Sequence, residues 1–492
     1  MSEQNEEQIR LQKLDKIRSM GIQPYPEKFD KKQTLKQCKE MKEGKKVKTA
    51  GRLIMFRDMG KLTFAHLQDF SGRMQIAIKQ DEIGKDDYKE LMKIIDLGDF
   101  IGVEGEIFVT HKGEITILVK KWEFLGKALK PLPEKWHGLK DTEAKYRQRY
   151  LDLISNQETM ERFKFRSEFI KELREFYWQN EFIEVETPVL CNAASGALAK
   201  PFSTHHNALD LDVFLRIAPE IYLKEAIVGG FDRIFEVARV FRNEGIDPSH
   251  LQDFTMVEHY AAYWNYEMNM EFTEKMLTDI IKKLKGTLKL TILNRDEEEV
   301  EVDFTPPWDR VTFRELLIKD CGIDIDKCLT VEELRKAIKA KKINVEDMDK
   351  LGRGNLIDEL YKKVSRPKLI NPVFLTQHPL DLSPLARKND DNNLIVDRFQ
   401  LILNGWEILN AYSELVDPID QEKRFDQQMA AKDMGDEDAM SKDDEYVDCM
   451  KYGMPPISGW GMGIERIVAL LTKQTNLRDV VLFPLMRPRD EE

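Results

Sequence analysis

Between Arg233 and Tyr260 the chain reads RIFEVARVFRNEGIDPSHLQDFTMVEHY, two alternating runs separated by a polar loop. Side chains alternate faces along an extended strand. Arg242 therefore shares a face with Glu236, Ala238 and Val240, while Glu258 and Tyr260 share one with Phe254 and Met256. Antiparallel pairing across the loop Gly245–Asp253 brings Arg242, Glu258 and Tyr260 to one wall, with Glu244 and His250 beside it. A guanidinium grips an anion through two parallel hydrogen bonds, and the carboxylates around it hold an ammonium. Such a wall suits a zwitterion, such as an amino acid, beside a phosphate. It equally suits a surface hairpin with exposed ion pairs, and this stretch alone does not choose between the two.

Three further stretches carry chemistry. GWGMGIERIVALL, Gly459–Leu471, is a glycine-rich strand feeding a buried helix with Arg466 in its first turn. Glycines let a ligand approach the backbone, and the arginine adds charge for a phosphate. As a dinucleotide fingerprint the stretch is weak, because its spacing is GxGxG and no acid follows in a βαβ context. FLRIAPEIYLKEAIVGG places Glu220 at a turn before a helix. FQLILNGWEILNAYSEL reads as a strand, a turn at Asn404-Gly405, and a second strand bearing Glu407, Asn410, Tyr412 and Glu414. Glu407 offers oxygen to a hard cation such as Mg²⁺.

The elements that must position these residues are legible in outline. Of 492 residues, 42% are hydrophobic and 33% charged, enough for two to four domains with ample core. No apolar run approaches the ~20 residues of a membrane span, and the N-terminus MSEQNEEQIRLQKLDKIRSM has no apolar signal core. Five scattered cysteines, with no CxxC, read as reduced thiols, so a cytoplasmic protein is expected. The net charge of −12 is uneven: residues 1–140 carry 28 Lys+Arg against 22 Asp+Glu, the remainder 48 against 66. That argues against non-specific nucleic-acid binding over the whole surface and allows a local contact in the front domain.

Leu11, Leu14, Ile17 and Met20 fall at helical spacing. From Lys46, five short strands punctuated by glycine, with a helix-like insert at Asp86–Ile95, suit a small barrel of the OB type, a fold used on oligonucleotides and also as plain packing. Residues 159–179 form an amphipathic helix with Phe165, Phe169, Leu173 and Phe176 on one face, and EFIEVETPVL follows as a strand stopping at Pro188. Residues 329–365 read as short charged helices, and the acidic 417–450 as a solvated helical connection.

Taken together, EFIEVETPVL, VFRNEGIDPSHLQDFTMVE and GWGMGIERIVALL resemble motifs 1, 2 and 3 of the class II aminoacyl-tRNA synthetases, most closely the lysyl-specific family. The resemblance runs from the barrel to DVVLFPLMRP. It implies an α+β protein: an N-terminal helix and OB-fold anticodon-binding domain over residues 1–140, and a class II catalytic domain over 141–492, an antiparallel sheet flanked by helices with a helical insert at about 310–370. The implied reaction joins lysine to ATP as lysyl-adenylate, releases pyrophosphate, and passes the lysyl group to tRNA. A homodimer is implied by motif 1.

By the same resemblance, Arg242 bridges the α-phosphate and the lysine carboxylate, Glu244 reads the adenine amino group, Phe254 stacks on adenine, His250 reaches the outer phosphates and Arg466 covers the other adenine face. Glu220, Glu258 and the backbone of Gly196 form the α-amino clamp; Asn410 helps hold the carboxylate; Glu414 with Tyr260 receives the ε-ammonium; Tyr412 and Gly461 complete the lysine-binding set. On this reading an uncharged analogue leaves Glu414 buried and unpaired. Glu407, Gln400 and Glu414 stand at the metal positions for Mg²⁺, and Arg57, Phe64 and Gln75 at those that read the anticodon. Two departures stand out: Gln400, in DRFQL, replaces a usual acid, and the motif 2 loop reads HLQDF where HNPEF is common.

Overall fold

The computed structural model describes residues 3–133, 139, 141–193, 195–197, 199–245, 247–433 and 442–488. The chain forms two compact units, Met1–Asp141 with Tyr150–Asn156, and Thr142–Arg149 with Gln157–Glu492.

The first unit holds a closed barrel of five strands: β1 (Lys46–Asp58), β2 (Leu62–Asp69), β3 (Gly72–Lys79), β4 (Phe100–Val109) and β5 (Ile115–Gly126), in the order β1-β2-β3-β5-β4. Alternation sets its two faces. Thr63, Ala65, Leu67, Met74, Ile76 and Ile78 are buried in the barrel. A helix, Lys85–Ile94, fills the step between β3 and β4 and buries Tyr88, Leu91 and Ile94. The N-terminal helix Glu3–Ser19 buries Leu14 and Ile17, with Ile17 packed on Ile94 and Phe124.

In the second unit the strands are β6 (Ile183–Glu184), β7 (Leu190–Cys191), β8 (Ser203–His206), β9 (Leu211–Leu215), β10 (Arg233–Phe241), β11 (Asp253–Ala262), β12 (Lys289–Leu293), β13 (Glu299–Asp303), β14 (Asp309–Thr312), β15 (Val373–Pro379), β16 (Ile395–Leu403), β17 (Trp406–Ser413) and β18 (Ile457–Gly463). Eight of them form one sheet, β14-β15-β16-β17-β18-β11-β10-β6, antiparallel from β15 to β10 and parallel at both edges. The strand expected from EFIEVETPVL is only two residues long before the chain leaves the sheet, and pairing resumes at Leu190 in a separate small sheet.

One face of the large sheet is core. Helices Gln157–Gln179, Tyr266–Lys285 and Ile464–Leu471 cover it, burying Phe169, Leu173, Met276, Leu277, Ile467 and Val468. His259 belongs to this face. It stacks on Trp460 at 5.0 Å, hydrogen-bonds Tyr177 and Asn269, and burial holds its pKa down to about 3, so it is a neutral core histidine. Its neighbours Glu258 and Tyr260 point to the opposite face, which is the cleft.

Between β14 and β15, helices Phe313–Cys321, Val331–Ala340 and Arg353–Val364 build their own core from Leu316, Leu317, Leu334, Ile338, Ile357 and Leu360. Three threonine-led or glycine-led starts punctuate them, and Thr312 and Thr330 make capping boxes with Glu315 and Glu333. The acidic stretch after Asp417 is not merely solvated. Phe425, Tyr446 and Val447 are buried and pack with Ile221 and Leu385. Among the described residues no helix is long and apolar enough to cross a membrane.

Candidate active site

The motif 2 strands pair as their alternation requires. Glu236 faces Glu258, Val240 faces Phe254, and the Arg242 amide donates to the Gln252 carbonyl at 2.8 Å. Arg242, Phe254, Met256, Glu258 and Tyr260 thus line one wall of a cavity of about 330 Å³. β18 lies against β11 on one side and β17 on the other, and supplies the floor through Gly459 and Gly461.

Asn404 and Gly405 both have positive φ, 51° and 68°, the geometry of a tight hairpin turn, and this turn returns β16 as β17. Strict alternation along β17 would put Glu407 on the face away from Asn410. A bulge intervenes: Leu401 pairs Leu409 while Ile402 pairs Glu407, leaving Ile408 as the extra residue. Ile408 and Leu409 are both buried in the core, and Glu407, Asn410 and Tyr412 all line the cavity.

At one end of the cavity lies the cationic chemistry. The Arg242 guanidinium sits 5.3 Å from the Phe254 ring, and its Nε donates to the Ile217 carbonyl at 3.3 Å. It makes no ion pair among the described residues, so its outer nitrogens are left for a ligand. Burial pushes its pKa down, and the nearby Glu244 charge opposes that; a guanidinium stays protonated in proteins. Arg466 is held by the Glu407 carbonyl at 2.9 Å. His250 contacts Asp247 at 2.6 Å, and Asp247 is drawn down to about 2; burial opposes this, but Ser249 and His250 outweigh it. Glu244 also lines this end.

The other end is acidic and deeply buried. The Tyr260 hydroxyl donates to Glu258 at 3.1 Å, and the Tyr412 hydroxyl to Glu220 at 2.8 Å. Burial, reinforced by the Glu220 charge, pushes Glu258 up to about 8. Gly196, at φ 92°, closes over Glu220: a Cβ there would lie 3.1 Å from the Glu220 Cβ. Gly461 sits against Glu258 in the same way.

Glu414 is not unpaired. Its Oε2 lies 2.5 Å from Nζ of Lys224, a lysine with no exposed surface that also lies 2.5 Å from Glu220 Oε1. Neither Glu414 oxygen has a hydrogen bond of good geometry; Oε2 has the Lys224 ion pair, while Oε1 has no charged partner and lies beside Gly459, where a side chain would collide with it. An uncharged ligand would therefore leave Oε1 without an ionic partner, while Oε2 keeps Lys224.

The metal positions divide. Glu407 lines the cavity. Gln400 shares the face of its partner Asn410 but is buried outside the cavity wall, and Glu414 is held by Lys224 at the far end. Glu414 is thus not placed to ligate a metal with Glu407. Among the described residues no three His, Cys, Asp or Glu side chains cluster as a metal cage.

In the barrel, Arg57 pairs with Phe64 and His66 with Gln75, all on the outer face. Arg57 is exposed and Phe64 half-buried outside the barrel core. Gln75 is buried and donates to Thr116 at 2.8 Å. His66, not singled out from the sequence, adjoins them.

Sequence reasoning also passed over Lys224 and Arg398. Lys224 reads as an ordinary i,i+4 partner of Glu220 on a helix surface. Arg398 faces Tyr412 across β16 and β17, and its Nε holds the Asn410 oxygen at 2.7 Å while Nη1 is fixed by Leu382 and Ser383. Alternation along β16 was the available signal for it.

Residues 141–487 match the family model of tRNA synthetases class II (D, K and N), and residues 47–125 that of an OB-fold nucleic acid binding domain. The lysine–tRNA ligase of Carboxydothermus hydrogenoformans is 46% identical over 98% of both chains. That of Fervidobacterium nodosum is 44% identical over 98% of this chain and 94% of its own. That of Bacillus cytotoxicus is 42% identical over 98% and 97%. With motifs 2 and 3 meeting in one cleft and relatives of this closeness along nearly the whole length, the chain belongs to the class II tRNA synthetases of the D, K and N group, among the lysine–tRNA ligases.

Proposed function

We propose that this chain attaches lysine to tRNA with ATP, through a lysyl-adenylate formed in the cavity between β11, β17 and β18. The observation that carries the reading is the polarity of one cavity: at one end an arginine with no ion pair among the described residues, at the other the carboxylates of Glu220 and Glu258, with the fully buried Glu414 behind them. Lysine has one anionic and two cationic groups, and fits that polarity in a single orientation.

In the first step a lysine carboxylate oxygen attacks the α-phosphorus. The new bond is C–O–P, and the bond to the β-phosphate oxygen breaks to release pyrophosphate. Arg242 holds both reacting anions and offsets the charge that develops between them. The Phe254 ring fixes the guanidinium plane from one side and offers a stacking face to adenine; Glu244 reads the base, while His250 and Arg466 meet the outer phosphates. Asn410, its oxygen committed to Arg398, turns its amide N–H groups toward the carboxylate. In the second step a terminal tRNA hydroxyl attacks the carbonyl and AMP leaves. No side-chain nucleophile takes part in either step.

Mg²⁺ prefers one or two carboxylates together with substrate phosphates and water. Glu407 fits as that carboxylate, and the ion would neutralise phosphate charge. The outer barrel face, with Arg57, Phe64 and Gln75, is the anticodon contact, Phe64 stacking on a base. Exposed Trp178, Ile183, Val189 and Leu190 around motif 1 support a homodimer, in the cytoplasm. The test is pyrophosphate exchange with each amino acid in turn, then charging of unfractionated tRNA. Lysine alone is expected to support both; exchange driven by another amino acid and not by lysine overturns the assignment.

A further inference from the structure

Lys224 sits where an ammonium is least expected, fully buried behind the acidic end of the cavity. It is fully buried one turn into the helix Glu220–Val228, and its Nζ bridges Glu220 Oε1 and Glu414 Oε2 at 2.5 Å each. Three tyrosine rings surround it, Tyr412 and Tyr446 at 5.7 Å and Tyr260 at 6.0 Å, each presenting a negative π-face. They come from β17, from the helix Asp444–Met450 and from β11. The charged groups facing it are Glu220 on its own helix, Glu414 beyond β17 and, further off, Glu258 on β11.

Two consequences follow from this placement. The first is geometric. Glu414 has two buried oxygens with different surroundings: Oε2 faces Lys224 as an ion pair, and Oε1 has no charged partner and lies beside the side-chain-free Gly459. Pinning one oxygen fixes the direction in which the other points. The second is electrostatic. Glu220, Glu258 and Glu414 carry three formal negative charges when ionised, and Lys224 returns one. The remainder matches the two ammonium groups of a lysine ligand.

We infer that Lys224 is a positioning residue for lysine selection: a built-in ammonium that aims Glu414 Oε1 at the substrate's ε-ammonium and trims the pocket's charge to fit a doubly cationic amino acid. The inference rests on the lysine reading proposed above. With Lys224 present, an amino acid with a neutral side chain leaves one buried negative charge without a partner, and a buried charge without a partner is strongly disfavoured. Without it, three carboxylates face one another in a dry cavity, and like charges there cannot all ionise. One of them keeps an additional proton that the incoming lysine must displace.

The test compares wild type, Lys224→Met and Lys224→Arg in lysine-dependent pyrophosphate exchange between pH 6 and 9, with thermal melting to confirm folding. In Lys224→Met the KM for lysine is expected to rise by about 100-fold with kcat and the KM for ATP much less affected. Its KM should fall more steeply with rising pH than that of wild type, because without Lys224 the facing carboxylates keep a further proton that lysine must displace. Lys224→Arg keeps the charge, so it should recover at least tenfold of the loss and retain the wild-type pH profile. A simple packing role would raise KM without changing its pH slope. A folded Lys224→Met with a wild-type slope, or with a lysine KM within threefold of wild type, overturns the inference. If Lys224→Met does not fold, an altered slope in Lys224→Arg overturns it alone. Failure of wild type to exchange with lysine would overturn the functional reading itself, whereas wild-type exchange with indifferent variants removes only the role of Lys224.

Discussion

Gly459 has no side chain because Glu414 and Tyr260 occupy the space a Cβ would take. The residue is locked between Tyr260 of β11 and Tyr412 of β17 by backbone pairing on both sides. Its φ lies outside the left-handed region, so alanine is conformationally acceptable there. Gly459→Ala therefore acts through space alone. The strand is held on both sides and cannot retreat, so the Glu414 carboxylate and the Tyr260 ring must give way. Both are buried, and Glu414 is additionally tied to Lys224. The displaced oxygen is Oε1, the one assigned to the ε-ammonium. A hydrogen bond to a charged group contributes about 1.5–3 kcal/mol, which predicts a loss of about 10- to 150-fold in kcat/KM for lysine. The proposed ATP contacts lie at the other end of the cavity, so the KM for ATP should hold. Overpacking costs about 1–3 kcal/mol of stability, and thermal melting separates that from the site effect. The assay is pyrophosphate exchange with lysine varied at saturating ATP. An unchanged kcat/KM for lysine in a folded Gly459→Ala protein would refute the placement of the ε-ammonium against Glu414 Oε1.

Three further outcomes are expected. Glu258, at about 8 in the free protein, is driven to its ionised form by an ammonium ligand, so lysine binding releases a proton below that pH; the KM for lysine should fall about tenfold per pH unit as pH rises toward about 8 and level off above it, and calorimetry in buffers of different ionisation heat should show the released proton. Phe64→Ala removes a ring from the outer barrel face and nothing from its core, so the KM for tRNA should rise about 5- to 150-fold, the range set by base stacking at about 1–3 kcal/mol, with exchange intact; joint loss of both activities would mean a packing role instead. Arg242→Gln, which removes the charge proposed to bridge the two reacting anions, should lower kcat for exchange by at least about 100-fold, and a loss confined to KM would contradict a role in the transition state.

Much of this arrangement is written in local pattern. Alternation in residues 233–260 put Arg242, Glu258 and Tyr260 on one wall, and Asn404-Gly405 announced the turn that the positive φ values realise. The helix after Asn265 ends at Gly286, which adopts the left-handed cap expected of glycine. What pattern does not reveal is burial decided by distant partners. Lys224 looks like a surface lysine because its helix neighbours do not show that Glu414, Tyr412 and Tyr446 will converge on it from far along the chain. Glu407 reaches the cavity through a bulge at Ile408 that no periodicity marks. The stretch after Asp417 reads as solvated from its charge, yet Phe425 and Tyr446 carry its packing. The strand of motif 1 is shortened to two residues because the chain turns out of the sheet ahead of Pro188.

The central claim is that one guanidinium grips the anions of two reactants while a half-paired glutamate receives the far ammonium. A crystal structure with lysine and a non-hydrolysable ATP analogue measures this directly. The account predicts the Arg242 outer nitrogens within hydrogen-bonding distance of both the lysine carboxylate and the α-phosphate, the lysine ε-nitrogen on Glu414 Oε1, and Lys224 still on Oε2. An ε-nitrogen elsewhere, or an Arg242 that touches neither reactant, would contradict it.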